Sequence, residues 1–441
     1  MSAPHDHWLQ VARSVPGHLE LPTVTTLQAR TQALMAEGDP RVRVRRVGAS
    51  RDGEPIDLIS IGQGARSALV VGTPHPNEPI GCLTIEFLID RLRRDHALRE
   101  ELDVTWHFIK TIEPDGLRLN EGWLDRPFDA EAYLRHFFRP AAREQAEYCF
   151  PMDVPGYRFT ASTPENLAWQ EALRLTQPQL LYSLHNCEYG GAFFVLSRNE
   201  PELAAALSRQ SALFGMPIET FGESLEGEAS FAPGVFAAFD PEAALRMPPD
   251  AAGSDGHCYD AGLSSFGYCA PQGTLGLIAE APHWRPLAVE PRVDAKHAVP
   301  AAQAAIEQLA GDVVALLDRH LGGLDLQAWH GAARFRASLA EMRRHVAHSG
   351  AAVRAWSAVM PAADVARRRH ATLFNLLRPV GMLLRLAQNA HLAAPAASEA
   401  ESLLTRALRQ YGLLDGIAPV PLKDSVGLQV LAGLQAASML P

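Results

Sequence analysis

Lysine is nearly missing from this chain. Lys110, Lys296 and Lys423 are its only lysines, so 37 of the 40 basic residues are arginine. That bias fits the codon usage of a GC-rich genome and needs no functional reason. Positive charge is not in excess either. The net charge of −10 gives no reason to expect nucleic-acid binding, which usually shows a basic patch. Cysteine is sparse. Cys82, Cys149, Cys187, Cys258 and Cys269 are odd in number, scattered, and form no C-x-x-C pair, which speaks against a disulfide framework and for a reducing compartment. No run reaches the ~18 apolar residues of a membrane span. The first residues, Met1 to Trp8, lack a basic stretch followed by an apolar one, so no signal peptide is expected and a cytoplasmic location is.

What is present is an ordinary apolar fraction, 47%, and an ordinary charged fraction, 20%, over 441 residues. That is enough for a full core and more than one domain. Strand-like and helix-like stretches alternate. Arg41–Val47 and Ile56–Ile61 flank the turn Arg51-Asp-Gly-Glu54. The continuous apolar run Ser67–Thr73 reads as a buried strand, 79–95 as a helix, and Val104–Thr111 as a strand. Thr163 is an N-cap for a helix over Pro164–Thr176, with Pro164 at its first position. Leu180–Leu184, Ala192–Leu196 and Thr274–Ala279 read as strands; Glu200–Phe214 and Pro300–Leu321 read as helices. Long loops are expected over Pro114–Ser162 and Phe221–Gly273. This alternation predicts an α/β layered fold with a largely parallel sheet, whose ligands lie beyond the carboxyl ends of its strands.

Past Leu321-Gly-Gly-Leu324 the composition shifts to Ala, Leu and Arg at helical spacing, with segments near 328–348, 363–390 and 397–411 and one strand candidate at Ser425–Val430. The expected organisation is an N-terminal helical segment (1–40), a catalytic domain (41–322) and a helical extension (323–441). The extension offers a surface for homo-oligomer formation.

The chemistry concentrates at strand ends. His75-Pro-Asn-Glu78 follows the strand Ser67–Thr73. His185 ends Leu180-Leu-Tyr-Ser-Leu-His185. Glu280 ends Thr274-Leu-Gly-Leu-Ile-Ala-Glu280. In a parallel sheet those ends share one rim. Two imidazoles and a carboxylate form a three-ligand set that suits Zn2+ and leaves a position open for water. Glu280 is then free to take a proton from that water, whose pKa the metal lowers from ~16 toward ~7. Singly these residues are ordinary: an interior histidine, a salt-bridge partner for Arg285, a loop turn. Cys187 follows the third ligand but has no base of its own, so a thiol nucleophile is not expected.

The order His-x-x-Glu, Pro-Asp-Gly, a strand ending in His, then a strand ending in Glu resembles the zinc carboxypeptidase family. The turn in Val47-Gly-Ala-Ser-Arg-Asp-Gly-Glu-Pro-Ile56, Glu113-Pro-Asp-Gly116, Ser183-Leu-His185 and Leu277-Ile-Ala-Glu280 carry the resemblance over roughly residues 40–320. It implies an α/β/α sandwich around a mixed, mostly parallel eight-stranded sheet. It implies one Zn2+ per chain on His75, Glu78 and His185, and Glu280 as base and then proton donor to the leaving amine. It also implies arginines for the substrate. Arg139, in His136-Phe-Phe-Arg-Pro140, is the candidate for the terminal carboxylate, since a guanidinium grips a carboxylate by two hydrogen bonds. Arg118 and Arg126 compete for the oxyanion role, and Arg118 is preferred because it stays close to the Pro-Asp-Gly turn.

The sequence departs from the family at Glu113 and at its tyrosine. Glu113 replaces the usual asparagine and adds a charge near the site. The family tyrosine has no clear counterpart, leaving Tyr259 or Tyr268. Asp255, in Gly253-Ser-Asp255, aligns with the specificity loop. The implied activity is hydrolysis of a C-terminal amide bond in a peptide. Two alternatives stand beside it: a zinc amidase or deacylase acting on N-acyl amino acids or cell-wall peptides, and a metal-free binding module on the same fold.

Overall fold

The computed structural model describes residues 4–220, 229–246, 260–287, 295–323, 329–356, 360–389 and 394–441. Its centre is one mixed sheet, with strands β1 (Val42–Ala49), β2 (Pro55–Ile61), β3 (Arg66–Gly72), β4 (Val104–Ile109), β5 (Leu180–His185), β6 (Phe193–Leu196), β7 (Ser230–Ala232), β8 (Val235–Ala237) and β9 (Leu275–Glu280). They lie in the order β1-β2-β4-β3-β5-β9-β6-β8-β7. The central four, β4-β3-β5-β9, run parallel, and antiparallel pairings flank them. The sheet has nine strands where eight were expected. At one edge the short strand β7 folds back on β8.

β3 shows why the sheet is covered on both faces. Ala68 and Val70 pack into one hydrophobic cluster and Leu69 and Val71 into another, as the two-residue period of a strand requires. The helices Pro4–Arg13, Ile80–Arg94 and Leu422–Ser438 pack together on the first face. The helix Pro164–Thr176 covers the other, its Thr163 Oγ1 accepting from Asn166 N at 3.1 Å. Both helix-capping expectations at 163–164 are met.

Four expectations need correction. Ser425–Val430 is not a strand but lies within the helix Leu422–Ser438. Its apolar residues are buried on all sides, and a helix apolar all round mimics a buried strand in a short window. The helix expected over Glu200–Phe214 is broken into Pro201–Leu207 and Gln210–Leu213. Neither expected long loop is one: Pro114–Ser162 holds the helices Pro114–Leu124 and Ala130–His136 and a small hairpin, Met152–Val154 with Tyr157–Phe159, and the described part of Phe221–Gly273 holds β7, β8 and the helices Pro241–Arg246 and Ser265–Cys269. The long helix begins at Ala295, so Pro300 lies inside it, within its second turn. Beyond residue 323 the described chain is largely helical: Ala332–Ala352, Ala362–Asn389, Ala394–Gln410 and Leu422–Ser438. The last of these packs directly against β5 and β9.

Candidate metal centre

β3, β5 and β9 stand side by side, and parallel register carries their ends to one rim. Glu280 is the register partner of His185, and Gly72 that of Leu184. After β3 the chain turns sharply at Thr73, whose φ of +48° is a left-handed conformation that a β-branched residue adopts at a cost of about 1–3 kcal/mol. A hydrogen bond between Thr73 Oγ1 and Thr111 Oγ1, 2.5 Å, holds that turn. Glu78 N then closes on His75 O at 3.0 Å, and the helix Ile80–Arg94 begins.

The ligand atoms of His75, Glu78 and His185 lie within 4.8 Å of one another, and all three residues are buried. Among the described residues this is the one cluster of histidines, cysteines or carboxylates with a metal-binding arrangement. His185 Nδ1 is 2.9 Å from Glu78 Oε2 and 3.6 Å from Glu280 Oε1. The His75 and His185 rings meet edge to face at 4.8 Å. Burial, reinforced by the Arg139 guanidinium, pushes the His75 imidazole well below its ordinary pKa, so it is neutral, as a ligand must be. His75 Nδ1 is buried with no hydrogen-bond partner among the described residues. A buried polar nitrogen without a partner is costly, and a metal ion would satisfy it. Two imidazoles and one carboxylate fit zinc.

Neighbouring elements fix these three side chains. Asn186 N donates to Glu78 Oε2 at 3.4 Å, while Asn186 Oδ1 accepts from Ile80 N at 3.2 Å. Gln145, in the segment behind Arg139, contacts His75 and donates to Pro140 O at 2.8 Å. From the far end of the chain, Gln429 Nε2 donates to His185 O at 2.7 Å and Ala279 O at 3.3 Å.

The expected arginines part company. Arg139 Nη1 reaches Glu78 Oε1 at 3.4 Å and its Nε donates to Gln145 Oε1 at 3.4 Å. Arg118 turns away to the Glu54 carboxylate and to Thr25 Oγ1. Arg126 is largely exposed between Asp125 and Asp129. Glu113 does not bring a charge to the site: it is buried, it accepts from Ala146 N, and burial beside Glu165 pushes its carboxyl pKa well above the ordinary range. Arg285 donates to Gly215 O at 2.9 Å. Tyr268 packs against Phe150 at 4.8 Å in a hydrophobic cluster. Tyr259 and Asp255 lie outside the described residues.

Sequence reasoning missed a second polar layer. Glu188 accepts from Asn77 Nδ2 at 3.3 Å and from Tyr133 Oη and Arg378 Nη2. Its neighbour Asn186 donates to His283 Nε2 at 2.8 Å. Arg378 comes from the helix Ala362–Asn389, some two hundred residues from its partner, so no local pattern announces it. Asn77, between two ligands of the cluster, was the available signal.

Residues 27–127 match the family model described as zinc carboxypeptidase. The resemblance read from the motifs is thus supported where His75 and Glu78 lie; His185 and Glu280 fall outside the matched stretch. None of the curated proteins compared with the chain matches it. Solved structures similar to the chain include a metallo-carboxypeptidase from Burkholderia cenocepacia, at 16% identity and a TM-score of 0.36, over 58% of this chain and 60% of that one. Carboxypeptidase A from Helicoverpa armigera aligns at 14% identity and a TM-score of 0.40, over 63% of this chain and 70% of that one. This chain therefore spans about three fifths of the Burkholderia protein's length.

Proposed function

We propose that the protein is a zinc-dependent hydrolase that cleaves a C-terminal amide bond. The observation that carries this reading is the convergence of His75, Glu78 and His185 within 4.8 Å, with Glu280 beside them at 3.6 Å from His185 Nδ1. His75, Glu78 and His185 would hold the ion, which when bound supplies a Lewis acid and a water of lowered pKa. Glu280 has its carboxylate at the cluster without being needed as a ligand. Its Oε1 can take the nucleophile's proton and later give it to the leaving nitrogen, general acid–base help of roughly 10²–10⁴-fold. Arg139 brings a guanidinium to the same edge, where it can pair with a substrate carboxylate. Arg118 and Arg126 are engaged elsewhere by Glu54, Asp125 and Asp129 and take no part in this reading.

Replacing Arg139 by Ala tests the substrate. The carboxypeptidase reading expects loss of cleavage of peptides with a free C-terminal carboxylate and retention on their amidated counterparts. Equal loss on both would remove Arg139 from carboxylate binding.

A further inference from the structure

His185 uses one ring nitrogen toward the cluster, and its other nitrogen leads into the protein. His185 Nε2 lies 3.2 Å from Ser183 Oγ, two residues back on the same face of β5. Ser183 Oγ in turn lies 3.4 Å from Glu147 Oε2. The other oxygen of Glu147 accepts from Ser265 Oγ at 2.6 Å and from Ser265 N at 3.3 Å. All three relay members are sealed from solvent: Ser183 and Ser265 are 0% exposed and Glu147 3%. A carboxyl group buried this deeply is costly unless its oxygens are satisfied, and here Ser183 and Ser265 supply hydroxyl and amide donors.

The donors can be ordered in one way that satisfies each group. Ser265 gives its hydroxyl and amide hydrogens to Glu147 Oε1. Ser183 gives its hydroxyl hydrogen to Glu147 Oε2. Ser183 Oγ is then an acceptor for the Nε2 hydrogen of His185. A neutral imidazole with its hydrogen on Nε2 carries its lone pair on Nδ1, the nitrogen that faces Glu78 and Glu280.

We propose that Glu147 is a positioning residue that acts on the candidate zinc site through Ser183, fixing the tautomer and ring orientation of His185. The inference rests on the reading of His75, Glu78 and His185 as metal ligands. Ligating histidines ordinarily donate their second N–H to a carboxylate, carbonyl or water, and loss of that partner weakens metal binding about 10–100-fold. In this chain a serine hydroxyl bridges the two. The carboxylate comes from the short turn Ala146–Tyr148, two residues beyond Gln145, the contact of the other histidine ligand. One segment would thus orient both imidazoles.

The test is the zinc dissociation constant of the full chain, measured by competition with a chromophoric chelator. It is taken for the wild type, Glu147→Gln, Ser183→Ala and the double variant, with the d–d absorption of cobalt-substituted protein beside it. Each single variant should bind zinc about 10–100-fold more weakly and shift the cobalt spectrum, and the double variant should bind no worse than the weaker single, because the two act as one unit. Ser183→Ala is a small change at an apolar strand and carries the test should Glu147→Gln fail to fold. Wild-type affinity in both singles, or losses that multiply in the double variant, would overturn the relay while leaving the metal site standing. A wild-type chain that binds no zinc would overturn the reading of the site, and the relay with it.

Discussion

The side-chain amide of Gln429 donates to the backbone carbonyl of His185 at 2.7 Å. A residue twelve positions before Pro441 thereby holds the strand terminus that carries a candidate ligand. The same amide group donates to Ala279 O, and its oxygen accepts from Thr84 Oγ1 at 2.6 Å. One side chain ties β5, β9 and the helix after Glu78. Replacing Gln429 by Leu leaves these groups buried without partners, at about 1–3 kcal/mol for each lost neutral bond. The expected result is a loss of at least about 3 kcal/mol in urea unfolding, together with weaker zinc retention under dialysis.

Gly81 tests the spacing between two elements that carry candidate ligands. A Cβ at this position would lie 2.6 Å from Leu184 Cβ, the residue before His185. Gly81→Ala should push the helix Ile80–Arg94 away from β5 and cost about 1–3 kcal/mol by overpacking, against the small gain from helix propensity. Thermal unfolding measures the stability. A more stable variant would contradict the packing described.

The pair Glu188–Arg378 joins the layer behind Asn77 to the helix Ala362–Asn389. Removing one partner of a buried ion pair strands the other charge and costs about 3–5 kcal/mol. Arg378→Met alone should be strongly destabilising. Glu188→Gln combined with Arg378→Met should recover part of the loss in a double-mutant cycle of unfolding free energies. Additive losses would show that the two residues do not act together.

His283 gives the pH dependence. Burial lowers its pKa to about 4 from the ordinary 6.5, and its Nε2 accepts from Asn186. Between pH 6.5 and 4 the unfolded chain takes up a proton there that the folded chain does not. Stability therefore rises with pH through this window and is lost as pH falls. From pH 7 to pH 5 the expected contribution of His283 is about 2 kcal/mol. Urea titrations of the metal-free protein at the two pH values, for wild type and His283→Gln, isolate it: the variant should lose less.

The sequence made the rim of the sheet legible because β3, β5 and β9 are apolar runs that stop at a polar residue. Strand order and register then follow from packing, and Glu280 falls opposite His185. The partners of the candidate ligands were not legible in the same way. Gln429, Arg378 and Glu147 reach the site from elements distant in sequence, and each looks alone like an ordinary polar residue of a helix or turn. Ser425–Val430 misled for a physical reason: in the helix Leu422–Ser438 it is packed against a sheet, Ala12 and Phe214, so it has no polar face to betray its period. Arg118 misled because nearness in sequence to Pro-Asp-Gly says nothing of where a long side chain points, and Glu54 claims it.

Metal content with turnover, measured on Glu280→Gln beside the wild type and His185→Ala, tests the central claim most directly. About one zinc per chain is expected in the wild type and in Glu280→Gln, from a three-ligand site. Strongly reduced zinc is expected in His185→Ala, and hydrolysis of an acyl-amino acid or peptide by the wild type alone. A Glu280→Gln variant that keeps full turnover, or a wild-type chain that takes up no zinc from metal-replete medium, would contradict the zinc hydrolase reading.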